Sequence, residues 1–174
     1  MGSVDRCMSQ KFVCWYDVEK RCGRIADQIK DSETHIDAII GLSRGGLVPA
    51  TIVAHLLGIR EVLVHGYHSY DDKTNMRDPE NHHGIMYQDV VNDLMKGLHG
   101  KHVLIVDDLC DAGITMDGLT KRLYNKFHKG AVNFMTAALY CKDHSQFKPT
   151  FVGEHCGNDW LVFPWEQCKY CYAQ

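Results

Sequence analysis

Residues 103–115 have the sequence VLIVDDLCDAGIT, and the rest of the chain is organised around them. The first four residues, Val103–Val106, are apolar and β-favouring, which predicts a short buried strand. Asp107 and Asp108 follow this strand, and a small turn at Ala112-Gly113 leads into a helical pattern. A strand that runs through a loop into a helix N-terminus gathers backbone N–H groups in one place, and these groups favour an anion such as phosphate.

Two adjacent carboxylates beside a phosphate site would repel the phosphate unless they face sugar hydroxyls or hold a divalent cation. In an open α/β sheet, ligands bind past the carboxyl ends of the strands, which is where this acidic pair lies. The pattern alone is equally compatible with a strand followed by a polar turn in which both carboxylates are merely solvated. It therefore indicates a ligand site without identifying the ligand.

The other apolar segments alternate between helical and strand periodicity. Apolar side chains recur every three or four positions from Trp15 to Ile29, which is typical of an amphipathic helix. The patterns that follow it are strand 36–42, helix 47–57, strand 62–67, strand 103–106, helix 115–129, strand 132–140, strand 151–153 and strand 160–163. This order predicts a single α/β domain over residues 1–174, with a Rossmann-like twisted, mainly parallel sheet flanked by helices.

Residues 69 to about 100 differ in character from the segments on either side. They are rich in charged, amide and histidine side chains, with one further short helical pattern at 88–98. A polar segment of this length inside a compact domain is usually a functional lid or a disordered loop. We expect a flexible lid over about residues 69–100.

The composition restricts the possible classes of protein. The chain has 174 residues, of which 45% are hydrophobic and 24% charged, with a formal net charge of −3. These values suit one globular domain and argue against a dedicated nucleic-acid binder. Because the chain has no apolar run of transmembrane length and residues 1–11 lack a signal-peptide core, we expect a cytoplasmic protein with no membrane partner. The eight scattered cysteines predict reduced thiols.

A second candidate loop follows the first core strand. Ser43-Arg44-Gly45-Gly46 combines a fixed positive charge with two glycines, which let the backbone approach a ligand closely. Taken alone, such a tetrapeptide is often only a turn. Because right-handed crossovers bring the loops after parallel strands to one edge of the sheet, we expect this loop, the lid and residues 107–115 to converge.

Residues 103–115 resemble the phosphoribosyl-pyrophosphate (PRPP) binding signature of the type I phosphoribosyltransferases. That signature has four apolar residues, two acidic residues, two mostly apolar residues and a loop of small and hydroxyl-bearing residues. This chain departs from it at Cys110, where an aliphatic residue is usual, and at Ala112, where Ser or Thr is common. The Ser43–Gly46 loop resembles the pyrophosphate loop of the same family, in which a cis peptide is expected between the residues that match Ser43 and Arg44.

Three further features of the sequence resemble those of the 6-oxopurine branch of that family. Ser69-Tyr70 opens the lid, as in the purine enzymes. Lys142 stands where a lysine donates to the purine O6, although on pattern alone it could be a surface lysine. Residues 158–166, NDWLVFPWE, resemble the purine-binding segment of the xanthine–guanine and hypoxanthine–guanine enzymes. There, the aromatic residue matching Trp160 stacks on the base and the backbone of the next residue, Leu161, reads the purine edge, although an aromatic residue could otherwise fill the core.

The resemblance spans about residues 15–166 and implies a defined reaction. The 5-phosphoribosyl group of PRPP would be transferred to N9 of a 6-oxopurine, with release of pyrophosphate. The resemblance also implies Mg²⁺ as cofactor, PRPP and a purine base as small-molecule partners, and a homodimer or homotetramer. A small purine-binding hood would consist of the chain from about residue 151 together with the N-terminal segment.

By the same resemblance, the leaving pyrophosphate would be held by Arg44 and by the backbone N–H groups of Gly45 and Gly46. The lid would close over the site and exclude water, with Lys73 or Arg77 reaching the pyrophosphate.

The family's acidic residues also match positions of this chain. Asp107 and Asp108 would bind the ribose hydroxyls directly or through Mg²⁺, and Glu166 matches a carboxylate that helps to hold the metal. Asp111 would act as the general base that takes the proton from purine N7. The 5′-phosphate would be bound by the turn formed by Asp111, Ala112, Gly113, Ile114 and Thr115.

One departure concerns the choice of base. The xanthine–guanine enzymes tend to have a carboxylate two residues after the stacking tryptophan, whereas this chain has Val162. We therefore expect hypoxanthine and guanine as substrates, with xanthine as a further candidate. Two alternatives stay open: a phosphoribosyltransferase for a different base, and a PRPP-binding regulatory protein on the same fold. RNA-binding members of the second class should show a basic face, for which a net charge of −3 gives no support.

Overall fold

The computed structural model describes residues 9–66, 97–127 and 131–167. The predicted lid falls almost entirely outside these residues, and so do Ser69-Tyr70, Lys73, Arg77 and the helical pattern at 88–96. The elements in chain order are strand β1 (Gln10–Phe12), helix α1 (Trp15–Asp31), β2 (Ala38–Ser43), α2 (Leu47–Leu57), β3 (Val62–Gly66), β4 (His102–Cys110), α3 (Ile114–Lys126), β5 (Asn133–Lys142), β6 (Phe151–Cys156) and β7 (Trp160–Val162).

Five strands form one parallel sheet in the order β3-β2-β4-β5-β6. Different helices cover its two faces. On one face Leu104 and Val106 pack with side chains of α1 and α2, and on the other face Val103 and Ile105 pack with side chains of α3. Burial on both faces explains why the central strand is a continuous apolar run rather than an alternating one. The predicted fold class, a mainly parallel α/β sheet flanked by helices, is confirmed.

Strand β4 is longer than its sequence pattern predicts. The predicted strand ends at Val106, whereas β4 continues through both aspartates to Cys110 because it pairs with β5 along its whole length. Its pairing with β2 stops at Val106. Asp107 and Asp108 therefore lie inside a strand, but beyond the end of its ladder with β2, at the edge of the sheet where the loop after β2 also lies.

A separate two-stranded sheet joins the start of the described chain to its end. Strand β1 runs parallel to β7, with Gln10 opposite Trp160 and Phe12 opposite Val162. The sequence pattern does not predict β1, whose three residues are all exposed. Strand β6, which starts at Phe151, still belongs to the large sheet, so the predicted hood boundary near residue 151 lies one strand before the small sheet.

The helix boundaries agree with the predicted ones to within a few residues. Helix α2 has the predicted bounds and ends at Gly58, whose φ of 70° is left-handed. Helix α3 starts one residue earlier than predicted and ends at Lys126, three residues earlier. In the part of the chain that the structure describes, no helix has both the length and the apolar character to cross a membrane.

A buried arginine fastens α1 to β6. Arg21 is 8% exposed, and its guanidinium lies 2.7 Å from carboxylate oxygens of both Asp17 and Glu154. It also lies over the ring of Tyr140, 5.2 Å from the centroid. Hydrogen bonds from Cys14 and the charge of Arg21 lower the pKa of Asp17. These contacts fix the β5–β6 side of the sheet against the helical layer.

Candidate active site

The loop that follows β2 lies directly against the acidic end of β4. A Cβ atom added at Gly45 would lie 1.8 Å from Oδ2 of Asp108. One added at Gly46 would lie 2.6 Å from the carbonyl oxygen of Val106 and 2.9 Å from Cα of Asp107. The two glycines thus permit an approach that a side chain would prevent. Two segments far apart in the chain meet here, as the parallel topology predicts.

The same loop leads straight into helix α2. The peptide bond between Ser43 and Arg44 is cis, as the resemblance implies. The N–H of Leu47 donates to the carbonyl of Arg44 at 3.2 Å, and the N–H of Ala50 donates to that of Gly46 at 3.0 Å. The side chain of Arg44 is exposed. The loop therefore combines a cationic side chain with a helix N-terminus, and both attract anions.

Asp107 and Asp108 lie side by side at this edge, where both are half-buried. The N–H of Asp108 donates to Oδ1 of Asp107 at 3.0 Å. Burial and the neighbouring charge of Asp108 raise the pKa of Asp107 well above its usual range. Burial and the charge of Glu166 also raise the pKa of Asp108, although a hydrogen bond with Asp107 opposes this. Ionising both carboxylates is therefore unfavourable, and a bound cation would stabilise them.

The negative charge of Glu166 contributes to the raised pKa of Asp108 in this acidic pair. Oε2 of Glu166 accepts a hydrogen bond from the N–H of Phe163 at 2.9 Å, which closes the turn after β7. Among residues 9–66, 97–127 and 131–167, no three His, Cys, Asp or Glu side chains are grouped as a metal site. Within the described residues, a cation could therefore bind to the Asp107–Asp108 pair, with the negative charge of Glu166 nearby.

The turn after β4 enters helix α3 through Gly113, whose φ of 85° is left-handed. A Cβ atom there would lie 2.3 Å from Cβ of Phe147 and 2.9 Å from Oγ of Ser145. Both the backbone conformation and the packing therefore require glycine. Because the first N–H groups of a helix have no intrahelical acceptor, those at Ile114 and Thr115 can bind an anion.

Asp111, at the start of this turn, contacts a residue that the sequence reasoning missed. Nε2 of His144 lies 3.1 Å from Oδ1 of Asp111, and Nδ1 of the same ring lies 3.0 Å from Oδ1 of Asn158. His144 belongs to the loop after β5, at the same edge of the sheet as Asp111. A polar side chain in a loop that follows a parallel strand was the signal that could have singled it out.

The segment around β7 is held to the end of β5 by Lys142. This lysine is 4% exposed, so the surface-lysine alternative is wrong. Its ammonium donates to the carbonyl of Gly157 at 2.9 Å and to that of Asp159. Trp160 is 59% exposed and does not fill the core, whereas the adjacent Leu161 is buried. The indole is therefore available at the surface beside the buried ammonium.

The predicted site residues that the structure describes lie toward the carboxyl ends of β2, β4 and β5 and around β7. The 43–46 loop meets the acidic pair of β4, on which the charge of Glu166 also acts. The 111–115 turn follows β4, Lys142 is the last residue of β5 and Trp160 is the first residue of β7. Arg77 lies outside the described residues.

Comparison with known proteins gives matches over most of the chain. The phosphoribosyl transferase domain model matches residues 15–168. A xanthine-guanine phosphoribosyltransferase of Idiomarina loihiensis is 33% identical over 156 residues, which are 89% of this chain and 86% of that protein. One from a Ruegeria species is 30% identical over 161 residues, covering 88% of this chain and 84% of that protein. The crystal structure of a purine phosphoribosyltransferase from Pyrococcus horikoshii has a TM-score of 0.69 at 25% identity, covering 92% of this chain and 96% of that one.

Proposed function

This chain belongs to the type I phosphoribosyltransferase family, on its 6-oxopurine branch, and on that premise we propose that it transfers the 5-phosphoribosyl group of PRPP to N9 of a 6-oxopurine base. The products are a nucleoside 5′-monophosphate and pyrophosphate, and the reaction serves purine salvage. The observation that carries the proposal is the packing of Gly45 against the carboxylate of Asp108. This contact brings an anion-binding loop and an acidic pair to one point, as a sugar diphosphate requires.

The difficult step is breaking the bond between ribose C1 and pyrophosphate, which leaves positive charge on the sugar and negative charge on the leaving group. The guanidinium of Arg44 and the N–H groups of Gly45 and Gly46, at the start of α2, stabilise the departing diphosphate. Asp107 and Asp108, directly beside this loop, accept hydrogen bonds from the ribose hydroxyls.

The acidic pair also fits Mg²⁺. Magnesium is usually held by one or two carboxylates together with substrate phosphates rather than by an all-protein cage. Asp107 and Asp108, whose pKa values burial raises, form such a pair, and the described residues group no third ligand with them. We assign these two aspartates as the protein ligands, with Glu166 adding its charge or a further contact. When bound, Mg²⁺ supplies Lewis-acid stabilisation of the pyrophosphate charge.

The turn at Asp111–Thr115 binds the 5′-phosphate. The N–H groups at the start of α3 and the hydroxyl of Thr115 are suited to a phosphate, and Gly113 supplies the left-handed turn that leads from β4 into this helix. Asp111 is the general base that takes the proton from purine N7 as the bond to N9 forms. Its carboxylate is 43% exposed, so a substrate can reach it.

The purine base binds between Trp160 and the end of β5. The exposed indole provides a stacking surface, and the backbone of Leu161 contacts the purine edge. An ammonium has three N–H groups, and two of those of Lys142 donate to backbone carbonyls, so the third can donate to O6. Because a cation cannot accept a hydrogen bond from an amino group, this arrangement favours a 6-oxopurine over adenine.

The group at purine C2 distinguishes the candidate bases. The curated relatives carry names that specify xanthine and guanine. In this chain Val162, two residues after Trp160, is buried, and its side chain has no polar atom to offer a C2 substituent. We propose hypoxanthine and guanine as the preferred bases and xanthine as a poorer one.

The setting of the reaction follows from the thiols and from the family. Cys14, Cys22, Cys110, Cys141 and Cys156 are free, which supports a reducing compartment, the cytoplasm. Assembly as a homodimer or homotetramer, and closure of a lid that carries Arg77, stay predictions of the resemblance.

The proposal is tested by incubating the protein with Mg²⁺, PRPP and each of hypoxanthine, guanine, xanthine and adenine, and by separating the nucleotides chromatographically. We expect nucleotide from the 6-oxopurines and none from adenine. Asp111→Asn, which keeps the shape but loses the base, should lower kcat by about a hundredfold or more. The absence of nucleotide with every 6-oxopurine would reject the proposed function. Full activity of Asp111→Asn would reject the assignment of Asp111 as the general base.

A further inference from the structure

We infer that His144 is a positioning residue: it fixes the orientation of the Asp111 carboxylate and ties it to the purine-binding segment at Asn158. The inference rests on the proposed function, in which Asp111 is the general base. The three side chains form one line of contacts, 3.1 Å from Asp111 Oδ1 to His144 Nε2 and 3.0 Å from His144 Nδ1 to Asn158 Oδ1. They belong to the turn after β4, the loop after β5 and the loop before β7.

The chemistry of these contacts places a proton on Nε2, the ring nitrogen that faces Asp111. An ionised carboxylate only accepts hydrogen bonds, so the imidazole donates to Asp111 through Nε2–H. Nδ1 faces Oδ1 of Asn158, so it donates there when it carries a proton, and it accepts from the side-chain nitrogen of Asn158 when the amide is turned by half a turn. In either arrangement the Nε2–H group donates to the carboxylate of Asp111.

The loop that carries this imidazole contacts the residues on both sides of Asp111. Ser145 is 3% exposed, and its hydroxyl lies 3.3 Å from Sγ of Cys110, the residue before Asp111. The N–H of Gln146 donates at 3.3 Å to the carbonyl of Ala112, the residue after Asp111. The imidazole is thus presented from a fixed support and can restrict rotation of the carboxylate.

This restraint matters because a general base removes a proton efficiently only when its accepting oxygen is directed at that proton. The carboxylate of Asp111 is 43% exposed, and its hydrogen bond with the imidazole restricts its rotation. An error of about 1 Å in the position of a catalytic group can lower a rate by as much as a hundredfold. Through Asn158 the same contacts connect the turn at residues 111–115 to the segment that carries Trp160.

The test compares two substitutions with different hydrogen-bonding capacity. His144→Leu removes the donor, and we expect kcat to fall about tenfold while the KM for PRPP changes by less than about twofold. His144→Gln, whose amide nitrogen can still donate to a carboxylate, should retain most of the activity. His55→Leu places the same change on an exposed histidine of α2 and should leave kcat unaltered.

A double-mutant comparison separates positioning from general damage. If His144 acts through Asp111, His144→Leu should cause no further loss of kcat in the Asp111→Asn background. Additive losses, or equal activities of the Leu variant and the unaltered protein, would overturn the inference. A reduction of the same size with His144→Gln would also overturn it, because the donor would then be irrelevant.

The contact itself can be examined without any activity. Nitrogen-15 spectra of the imidazole should show Nε2 of His144 protonated, with a resonance that shifts in Asp111→Asn and not in His55→Leu. An unprotonated Nε2 or an unmoved resonance would overturn the proposed contact. A protein that shows this shift but makes no nucleotide would instead overturn the proposed function, so the two failures are distinguishable.

Discussion

Replacing Gly45 with alanine should abolish most of the activity while leaving the fold intact. The added Cβ would lie 1.8 Å from Oδ2, 2.4 Å from Cγ and 2.9 Å from Oδ1 of Asp108. All three atoms belong to one terminal carboxylate, which can rotate away without moving the backbone. The change therefore acts on the contact between the anion-binding loop and the carboxylate of Asp108.

The size of the effect follows from those distances. For Oδ2 to reach the 3.4 Å at which ordinary contact begins, it must retreat by about 1.6 Å. Displacements of about 1 Å in a catalytic group can cost up to a hundredfold in rate. We expect kcat/KM for PRPP to fall about a hundredfold, which corresponds to about 2.7 kcal/mol of transition-state stabilisation. The free energy of unfolding should change by less than about 1 kcal/mol, because the three atoms nearest to the added Cβ all belong to a side chain.

Two other glycines provide matched controls. At Gly46 the added Cβ would meet backbone atoms of Val106, Leu42 and Asp107 at 2.6 to 2.9 Å, so Gly46→Ala should destabilise the fold by about 2 kcal/mol or more. Gly23 in α1 has no atom within 4 Å of its added Cβ, so alanine there should stabilise the protein by about 0.5–1 kcal/mol.

The assay combines initial rates at varied PRPP with urea denaturation followed by tryptophan fluorescence. An unaltered kcat/KM in Gly45→Ala would show that the contact with Asp108 is not part of the site. A loss of stability in Gly45→Ala as large as that in Gly46→Ala would show that its effect on activity cannot be attributed to the carboxylate.

Three other substitutions test the acidic pair, the indole and the buried ion pair. Asp107→Asn should stabilise the protein at pH 7 without Mg²⁺. Because the pKa of Asp107 is raised in the folded state, its carboxyl group stabilises the fold below the unfolded pKa, and this stabilisation is lost as the pH rises through the folded pKa. The amide of asparagine does not ionise, so the variant keeps the stabilisation at pH 7. The gain, measured by urea denaturation, should vanish at acid pH; no gain at pH 7 contradicts the burial argument. Trp160→Ala should raise the KM for the purine about tenfold, since stacking on an aromatic ring contributes 1–3 kcal/mol per base, and should change the unfolding free energy by under about 0.5 kcal/mol. A larger loss of stability would mean that the indole packs into the core. Arg21→Met leaves Asp17 without its cation and leaves Glu154 with only its longer contacts to Lys11 and Arg24. It should cost about 2 kcal/mol of unfolding free energy with kcat retained, and unchanged stability would refute the role of the Arg21 ion pairs.

The elements of the large sheet could be predicted because their periodicity is local. Four consecutive apolar residues at 103–106 are buried on both faces, and helix α1 keeps its buried apolar residues on one face. The far end of β4 could not be predicted, because Asp107 and Asp108 belong to a residue type that disfavours strands. They are held in the strand by pairing with β5, which is a tertiary effect.

Strand β1 escaped prediction for a related reason. Its three residues are exposed and carry no pattern of their own, and the strand exists because β7, about 150 residues away, pairs with it. Contacts that depend on a distant partner leave no trace in a short window of sequence.

The candidate site was predictable in its parts and less so in its contacts. Parallel topology was sufficient to bring the 43–46 loop to the end of β4. It did not specify that Gly45 would lie against Asp108, nor that Lys142 would be buried with its ammonium on backbone carbonyls. His144 went unnoticed because a lone histidine in a polar loop has no distinctive spacing, and its bond to Asp111 depends on the fold.

The most direct measurement is a crystal structure of the protein with Mg²⁺ and PRPP bound. We predict the diphosphate beside Arg44 and Gly45, the ribose against Asp107 and Asp108, and the 5′-phosphate at the start of α3. A diphosphate bound elsewhere would contradict this account, for example in the groove lined by Lys30, His35 and Arg60 at the opposite end of the sheet.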